Sequence, residues 1–110
     1  MGNPWRGDVT LVIDGRPHIM RLTLGALAEL EAELDSGSLV ALVSRFETGS
    51  FSTRDVLKLI VAGLRGGGWT GTSDDLLAAD IKGGAVAAAQ AAAALLARAF
   101  ALPEMVDENG

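Results

Sequence analysis

The sequence predicts an α+β fold, with an N-terminal β-hairpin followed by a compact bundle of four to five helices. Two apolar segments in residues 8–22 flank Asp14-Gly15, a dipeptide that favours a two-residue hairpin turn. Residues 23–102 are divided by capping residues and glycines into segments with helical periodicity. At 110 residues, the chain is expected to form a single domain over 1–110.

Composition and charge limit the kinds of molecule that the chain can bind. The formal net charge of −5 at pH 7 means that phosphate backbones and anionic membranes would repel the chain, so we expect neither a nucleic-acid nor a membrane partner. The lack of cysteine excludes disulfides and Cys-based zinc sites. No apolar secretion signal is visible at the N-terminus. The most apolar segment, 85–102, is mostly alanine and contains Arg98, which favours a soluble helix over a membrane span.

The predicted hairpin has one strand at 8–13 and a second at 16–22. Asp14-Gly15 between them supplies the positive φ angles of a type I′ turn. Pro17 has no N–H to donate, so it marks either an edge strand or the first residue of the second strand. An isolated hairpin is marginally stable, and it must pack on the helices or on further strands. The apolar face of the first strand consists of Val9, Leu11 and Ile13.

Four of the five predicted helices begin just after Ser or Thr, which are preferred N-cap residues. Ser52 with Asp55 three residues later approximates a capping box. Gly66-Gly67-Gly68 is predicted to end the third helix, because glycine readily adopts a left-handed C-cap. The caps are expected at Thr23, Ser38, Ser52 and either Thr72 or Ser73. The helices are predicted at 24–34, 39–47, 53–65, 73 to about 82, and 85–102.

Helical periodicity assigns a face to each charged cluster. On the first helix, Glu29 and Glu33 lie opposite the leucines that face the core. On the third helix, three cations share the polar side and face either these glutamates or an acidic partner. The second and third helices also resemble a helix-turn-helix DNA-binding motif, although three cations are few for an acidic chain. The cations are Arg54, Lys58 and Arg65. On the last helix, the residues expected to face the core are Val86, Leu96 and Phe100.

No constellation of catalytic or metal-binding residues is evident. His18 is the single histidine and lies in a predicted strand, where a structural or surface position is expected. Glu29 and Glu33 share a helical face, but carboxylate metal sites in bundles also use histidines, so we interpret this pair as solvated. Residues 66–68 follow a predicted helix rather than a strand, which argues against a phosphate-binding loop. We expect a protein that is not an enzyme and that binds no cofactor or metal.

Four segments carry a resemblance to a known family. They are GDVTLVIDGRPHIMRLTLGALAELEAEL, SLVALVSRF, FSTRDVLKLIVAGLRGGGW and ALLARAFALPE. In their order and spacing, over about residues 5–104, they resemble a small family encoded in the tail gene cluster of alphaproteobacterial gene transfer agents and related tailed phages. That family is classed with tail assembly chaperones and has also been labelled a tail tube protein.

The resemblance implies a non-catalytic binding protein of virion morphogenesis, acting in the cytoplasm of the bacterial host during particle assembly. A chaperone of this class associates with the tape measure protein, which is long and helical, and helps tail tube subunits to polymerise around it. A structural component of the tail, such as a tube or minor tail protein, is the alternative. A helix-turn-helix DNA-binding regulator is the third hypothesis, and an enzyme is the last because no catalytic motif is present.

Three surfaces are candidates for binding tail proteins. They are the edge of the second strand, the cationic side of the third helix, and the loop at Trp69, which is either a core plug or an exposed anchor. A partner helix bound in a groove is a further arrangement. A homo-oligomer, formed with a second copy of the chain, is also compatible with the sequence. We expect Trp5 to anchor the N-terminus and residues 103–110 to form a flexible acidic tail. The candidate partner-binding residues are Arg16, His18, Met20, Arg54, Lys58, Arg65 and Trp69.

Overall fold

The predicted α+β class is confirmed by the computed structural model, which describes residues 8–34 and 38–100. A two-stranded sheet precedes five helices in this part of the chain. The expectations for Trp5 and for the tail at 103–110 lie outside the described residues. In chain order the elements are β1 (Val9–Ile13), β2 (Arg16–Met20), α1 (Leu24–Glu33), α2 (Leu39–Thr48), α3 (Thr53–Gly66), α4 (Ser73–Leu77) and α5 (Gly84–Ala99).

β1 and β2 form the predicted antiparallel hairpin. Asp14 and Gly15 have φ angles of 53° and 80°, as the two-residue turn requires. β2 ends at Met20 rather than at residue 22, because Met20 pairs with the first residue of β1. Side chains alternate between two faces of the hairpin. The core face contributes the buried residues Leu11, Ile13 and Met20. The outer face carries Thr10, Val12, Pro17 and Ile19.

The segment after α4 differs from the prediction of helix to about residue 82. It leaves the helical path after Leu77 and forms a one-residue antiparallel bridge to β1, between Ile13 and Ile81. Asp14 and Asp80 bond reciprocally: the Asp14 N–H donates to the Asp80 carbonyl oxygen (2.7 Å), and the Asp80 N–H donates to Asp14 Oδ1 (2.8 Å). These bonds to a distant turn replace the local helical bonds that the sequence predicted.

α3 is the central element of the core. Its residues 59–64 are all buried, so this helix is enclosed on nearly every side over almost two turns. α1, α4, α5 and β2 all pack against it. Large buried side chains from three of these neighbours meet around α3. They are Met20 of β2, Leu30 of α1 and Leu95 of α5.

Two glycines at the end of α3 allow its backbone to touch β2. A Cβ atom on Gly66 would overlap the carbonyl oxygen of Arg21, and one on Gly67 would overlap the carbonyl oxygen of Ile19. α3 extends through Gly66, and the left-handed residue is Gly68 with φ 103°. The glycine triplet therefore ends the helix as predicted, but its first two members are also required by close approach to the strand.

α2 is joined to α3 by an ion pair and to the following loop by an aromatic pair. Arg45 donates two hydrogen bonds to Asp55, from Nε to Oδ2 (2.9 Å) and from Nη2 to Oδ1 (3.0 Å). The same carboxylate accepts the Ser52 N–H (3.0 Å), which completes the predicted capping box. Phe46 stacks on Phe51 with ring centroids 4.4 Å apart. Asp55 thus caps one helix and holds another.

The hydrogen bonds from Arg45 hold the pKa of the Asp55 carboxyl below its ordinary value. The N–H of Ser52 acts in the same direction, whereas burial opposes both. Because the pKa is lower in the folded than in the unfolded state, the charged carboxylate stabilises the fold above the ordinary carboxyl pKa of about 4. That contribution is lost as the pH falls through the lowered pKa.

α5 buries a stripe of alanines and leucines, and two residues expected in the core lie elsewhere. Leu96 is buried as predicted, but Val86 is 66% exposed and Phe100 is 43% exposed. Val86 lies about 200° around the helix from Ala88, outside the buried stripe. The buried stripe consists of Ala88, Ala91, Ala92, Leu95 and Leu96. Alanine side chains let α5 approach α3 closely, and this decides which side faces inward.

We expect Gly67→Ala to destabilise the domain by about 1–3 kcal/mol, because the added methyl group must displace the β2 backbone at Ile19. Gly25→Ala is the matched control: it lies in α1, and the nearest atom to an added Cβ is 3.9 Å away. Alanine favours helix there, so the control should be neutral or more stable. Urea unfolding of both variants checks this, and an unchanged midpoint for Gly67→Ala would contradict the proposed contact.

Asp55→Asn should lower the free energy of unfolding at pH 7 by about 1.5–3 kcal/mol, because hydrogen bonds to a charged group are lost. The difference from the unmodified chain should shrink as the pH falls from about 4 through the lowered pKa of Asp55, where the folded carboxyl itself becomes protonated. Asp75→Asn is the control, since Asp75 holds the same position in the α4 capping box without an arginine among its described partners. Thermal unfolding of both variants from pH 7 to pH 3 measures how the loss of stability depends on pH. Parallel pH profiles for the two variants would exclude a contribution from the ion pair.

Candidate functional site

The structure closes much of the β2 edge, which the sequence suggested as a place for strand addition. The Arg21 N–H donates to the carbonyl oxygen of Gly63 in α3 (2.9 Å). The carbonyl oxygens of Ile19 and Arg21 lie against the glycines at the end of α3. Pro17 has no N–H to offer. A partner strand would find no continuous row of donors and acceptors, so the open edge predicted for residues 16–22 is corrected.

Two of the candidate residues, His18 and Trp69, line one groove of about 510 Å³ between β2 and the loop after α3. Trp69 is partly buried against the core, and its ring covers Gly71 so closely that a side chain there would overlap it. His18 Nδ1 donates to the carbonyl oxygen of Arg16 (2.9 Å). Trp69 therefore contacts the core on one side and borders the groove on the other.

Met20 and Arg16 lie in opposite environments, although both belong to β2. Met20 is fully buried, because it lies on the core face of the strand, and its side chain is not available to a partner in this structure. This corrects its inclusion among the surface candidates. Arg16 is exposed beside the hairpin turn, where it pairs with Ile13.

Two of the three cations predicted to share a surface are used to join α3 to α1. Lys58 Nζ donates to the carbonyl oxygen of Glu33 (2.6 Å), and Arg65 Nη1 lies 3.6 Å from Glu29 Oε1. The second contact is long and exposed, so it adds little stability. Arg54 is exposed at the start of α3. Lys58 and Arg65 therefore face α1, as one of the two predicted alternatives has it, and the three cations do not form one free face for DNA.

An apolar groove of about 460 Å³ lies between α3, α4 and the start of α5. Leu76 is buried within it, whereas Leu77 and Val86 at its sides are 67% and 66% exposed. We call this surface the apolar groove. Its lining includes Phe51, Val56, Leu57, Leu77, Val86 and Ala89. Large exposed side chains gathered around a concave apolar surface are typical of protein interaction sites.

The sequence contained only a partial signal for the apolar groove. Leu76 and Leu77 are adjacent in a helix of five residues, about 100° apart, so a core that buries one tends to expose the other. Val86 was expected inside. The groove exists because α4 and the start of α5 border the same face of α3, and the bridge between Ile13 and Ile81 fixes the path of the chain between them.

Within residues 8–34 and 38–100, no group of three or more His, Asp or Glu side chains is placed to hold a metal ion. The helices in the described part of the chain are too short or too polar to cross a membrane. The surfaces found there offer apolar contact and backbone hydrogen bonds, which are the means by which one protein binds another.

The comparison with protein families covers nearly the whole chain. A family model described as phage tail tube protein, GTA-gp10, matches residues 6–102. This range includes every strand and helix described above. Comparison with curated proteins and comparison with solved structures give no match. The chain therefore belongs to the phage tail tube protein GTA-gp10 family, which places it among the tail proteins of phages and gene transfer agents.

Proposed function

We propose that the protein is a tail assembly chaperone without catalytic activity, which binds the tape measure protein in the host cell while tube subunits polymerise around it. Family membership supports a role in the tail. The observation that carries the finer proposal is the apolar groove, which the described part of the chain leaves uncovered between α3, α4 and α5. A binding protein that releases its partner needs such an accessible surface.

The shape and lining of the apolar groove fit an amphipathic helix of the tape measure protein. Such a helix presents apolar side chains at a spacing of three to four residues, and these can fill a concave surface. Leu77 and Val86 would gain most from burial, because each exposes about two-thirds of its surface in the free protein. The nearby Asp74 and Asp80, both exposed, favour a partner helix with basic residues beside its apolar stripe.

A structural tail component is the second candidate, because the family description names a tail tube protein. In that case the exposed apolar surfaces would be covered permanently by neighbouring subunits of the particle. The two functions differ in abundance: a structural subunit remains in the finished tail, whereas a chaperone leaves.

We expect purified particles to contain far fewer copies of this chain than of the major tube subunit. Quantitative mass spectrometry of the particles, with the chain measured in the assembling cells as a reference, tests this expectation. Copy numbers equal to those of the tube subunit would exclude the chaperone proposal and establish the structural alternative.

Leu77→Asp should weaken binding to the tape measure protein by about tenfold or more, because a charged group would replace a leucine buried on association. The side chain is 67% exposed in the free chain, so the fold should be retained. Leu24→Asp is the matched control, since Leu24 is 86% exposed and lies outside the apolar groove. Co-purification and titration with the tape measure protein measure the effect. Equal binding by both variants would show that the binding site lies outside the apolar groove.

A further inference from the structure

The outer edge of β1 carries backbone groups that point away from β2. Two hydrogen bonds at this edge identify residues of β1 and its turn whose backbone groups point outward. The Lys82 N–H donates to the carbonyl oxygen of Val12 (3.0 Å), and the Asp14 N–H donates to the carbonyl oxygen of Asp80 (2.7 Å). Outward-facing groups recur at every second residue of a strand, so Thr10 also faces outward. Residues 80–82 thus begin a third strand beside β1.

This third strand ends immediately after the bridge to β1. Gly83 and Gly84, with φ angles of 87° and 69°, turn the chain from the bridge into α5. The N–H and carbonyl of Thr10 and the N–H of Val12 then have no backbone partner among residues 8–34 and 38–100. Unpaired groups in a row on an edge strand are a template for another strand.

A slot of about 380 Å³ lies between this edge and α5. Its far side is formed by Ala87, Gln90 and Ala91, and the two alanines leave space for a peptide backbone. Lys82 stands at the end where residues 80–82 leave the sheet, and no carboxylate of the described residues forms an ion pair with it. The slot therefore combines free hydrogen-bonding groups with one positive charge.

We propose that the β1 edge at residues 10–12 accepts an extended segment of the tail tube subunit as an added strand, with an acidic side chain of that segment beside Lys82. Strand addition needs free backbone groups, and a helical tape measure protein has already used its own within its helices. The choice between the two partners rests on the proposed function. The edge and the apolar groove lie on different sides of α5, so both partners can bind together.

Proline substitution removes an outward N–H without removing a bond between β1 and β2. Pro17, which pairs with Val12 in the register of the hairpin, shows that this sheet accepts proline at an outward-facing position. Thr10→Pro is therefore the test variant. Thr10→Val, which keeps the N–H, is its matched control. Lys82→Glu tests the charge, with Arg54→Glu as the control for reversing an exposed cation elsewhere.

Titration of the full chain with the purified tube subunit should show about a tenfold loss of affinity for Thr10→Pro, the cost of one backbone hydrogen bond. Thr10→Val and Arg54→Glu should bind like the unmodified chain, and Lys82→Glu should bind more weakly. Leu77→Asp should keep its affinity for the tube subunit, which separates this proposal from the one for the apolar groove. Equal losses for Thr10→Pro and Thr10→Val would overturn strand addition.

Amide hydrogen exchange on the unmodified chain decides the question even if Thr10→Pro does not fold. The Thr10 and Val12 amides should exchange quickly in the free chain and become protected when the tube subunit is added, while the Leu11 amide stays protected throughout. Absence of new protection overturns the proposal. Protection that appears when the tape measure protein is added, or when the concentration of the chain alone is raised, also overturns the proposal, because the edge then belongs to another occupant. Protection that is already complete in the dilute free chain overturns it for the same reason.

Discussion

The close approach between the end of α3 and the backbone of β2 is the constraint on which the rest of the structure depends. Glycines at 66 and 67 let two carbonyl oxygens, that of Ile19 in β2 and that of Arg21 just after it, lie against the helix, and the Arg21 N–H bonds to Gly63. Because α1, α4 and α5 also pack on α3, its position relative to the hairpin determines where each of them lies. The same contact buries Met20 and covers the β2 edge.

The hairpin consequently presents two unlike edges: α3 covers much of the β2 edge, whereas the β1 edge keeps free hydrogen-bonding groups at Thr10 and Val12. The first half of α5 lies between this edge and the apolar groove: Val86 and Ala89 border the groove, whereas Ala87 and Ala91 border the slot beside β1. Small residues on both sides of one helix thus separate two surfaces suited to different partners, one helical and one extended. In the proposed assembly role, each of the two surfaces binds one tail component.

Four basic residues in the described part of the chain serve its own structure. Arg21 pairs with Asp8, Arg45 with Asp55 and Arg65 with Glu29, and Lys58 bonds to a carbonyl at the end of α1. With these cations engaged, residues 8–34 and 38–100 present no concentrated positive surface of the kind by which proteins bind phosphate backbones, and the net charge of the full sequence is −5. The exposed Lys82, beside the open β1 edge, is better suited to contact with acidic groups of other proteins.

The sequence by itself determined the features that depend on near neighbours. The Asp14-Gly15 turn and the caps at Thr23, Ser38, Ser52 and Thr72 form as predicted, because each requires only residues within about three positions. Tertiary structure alone decided that residues 80–82 join β1, that Val86 faces outward, and that Gly66 and Gly67 touch β2. Each of these results from contact between segments far apart in the chain, and a local pattern carries no information about which distant backbone will lie beside it. The apolar groove and the open β1 edge belong to this second class.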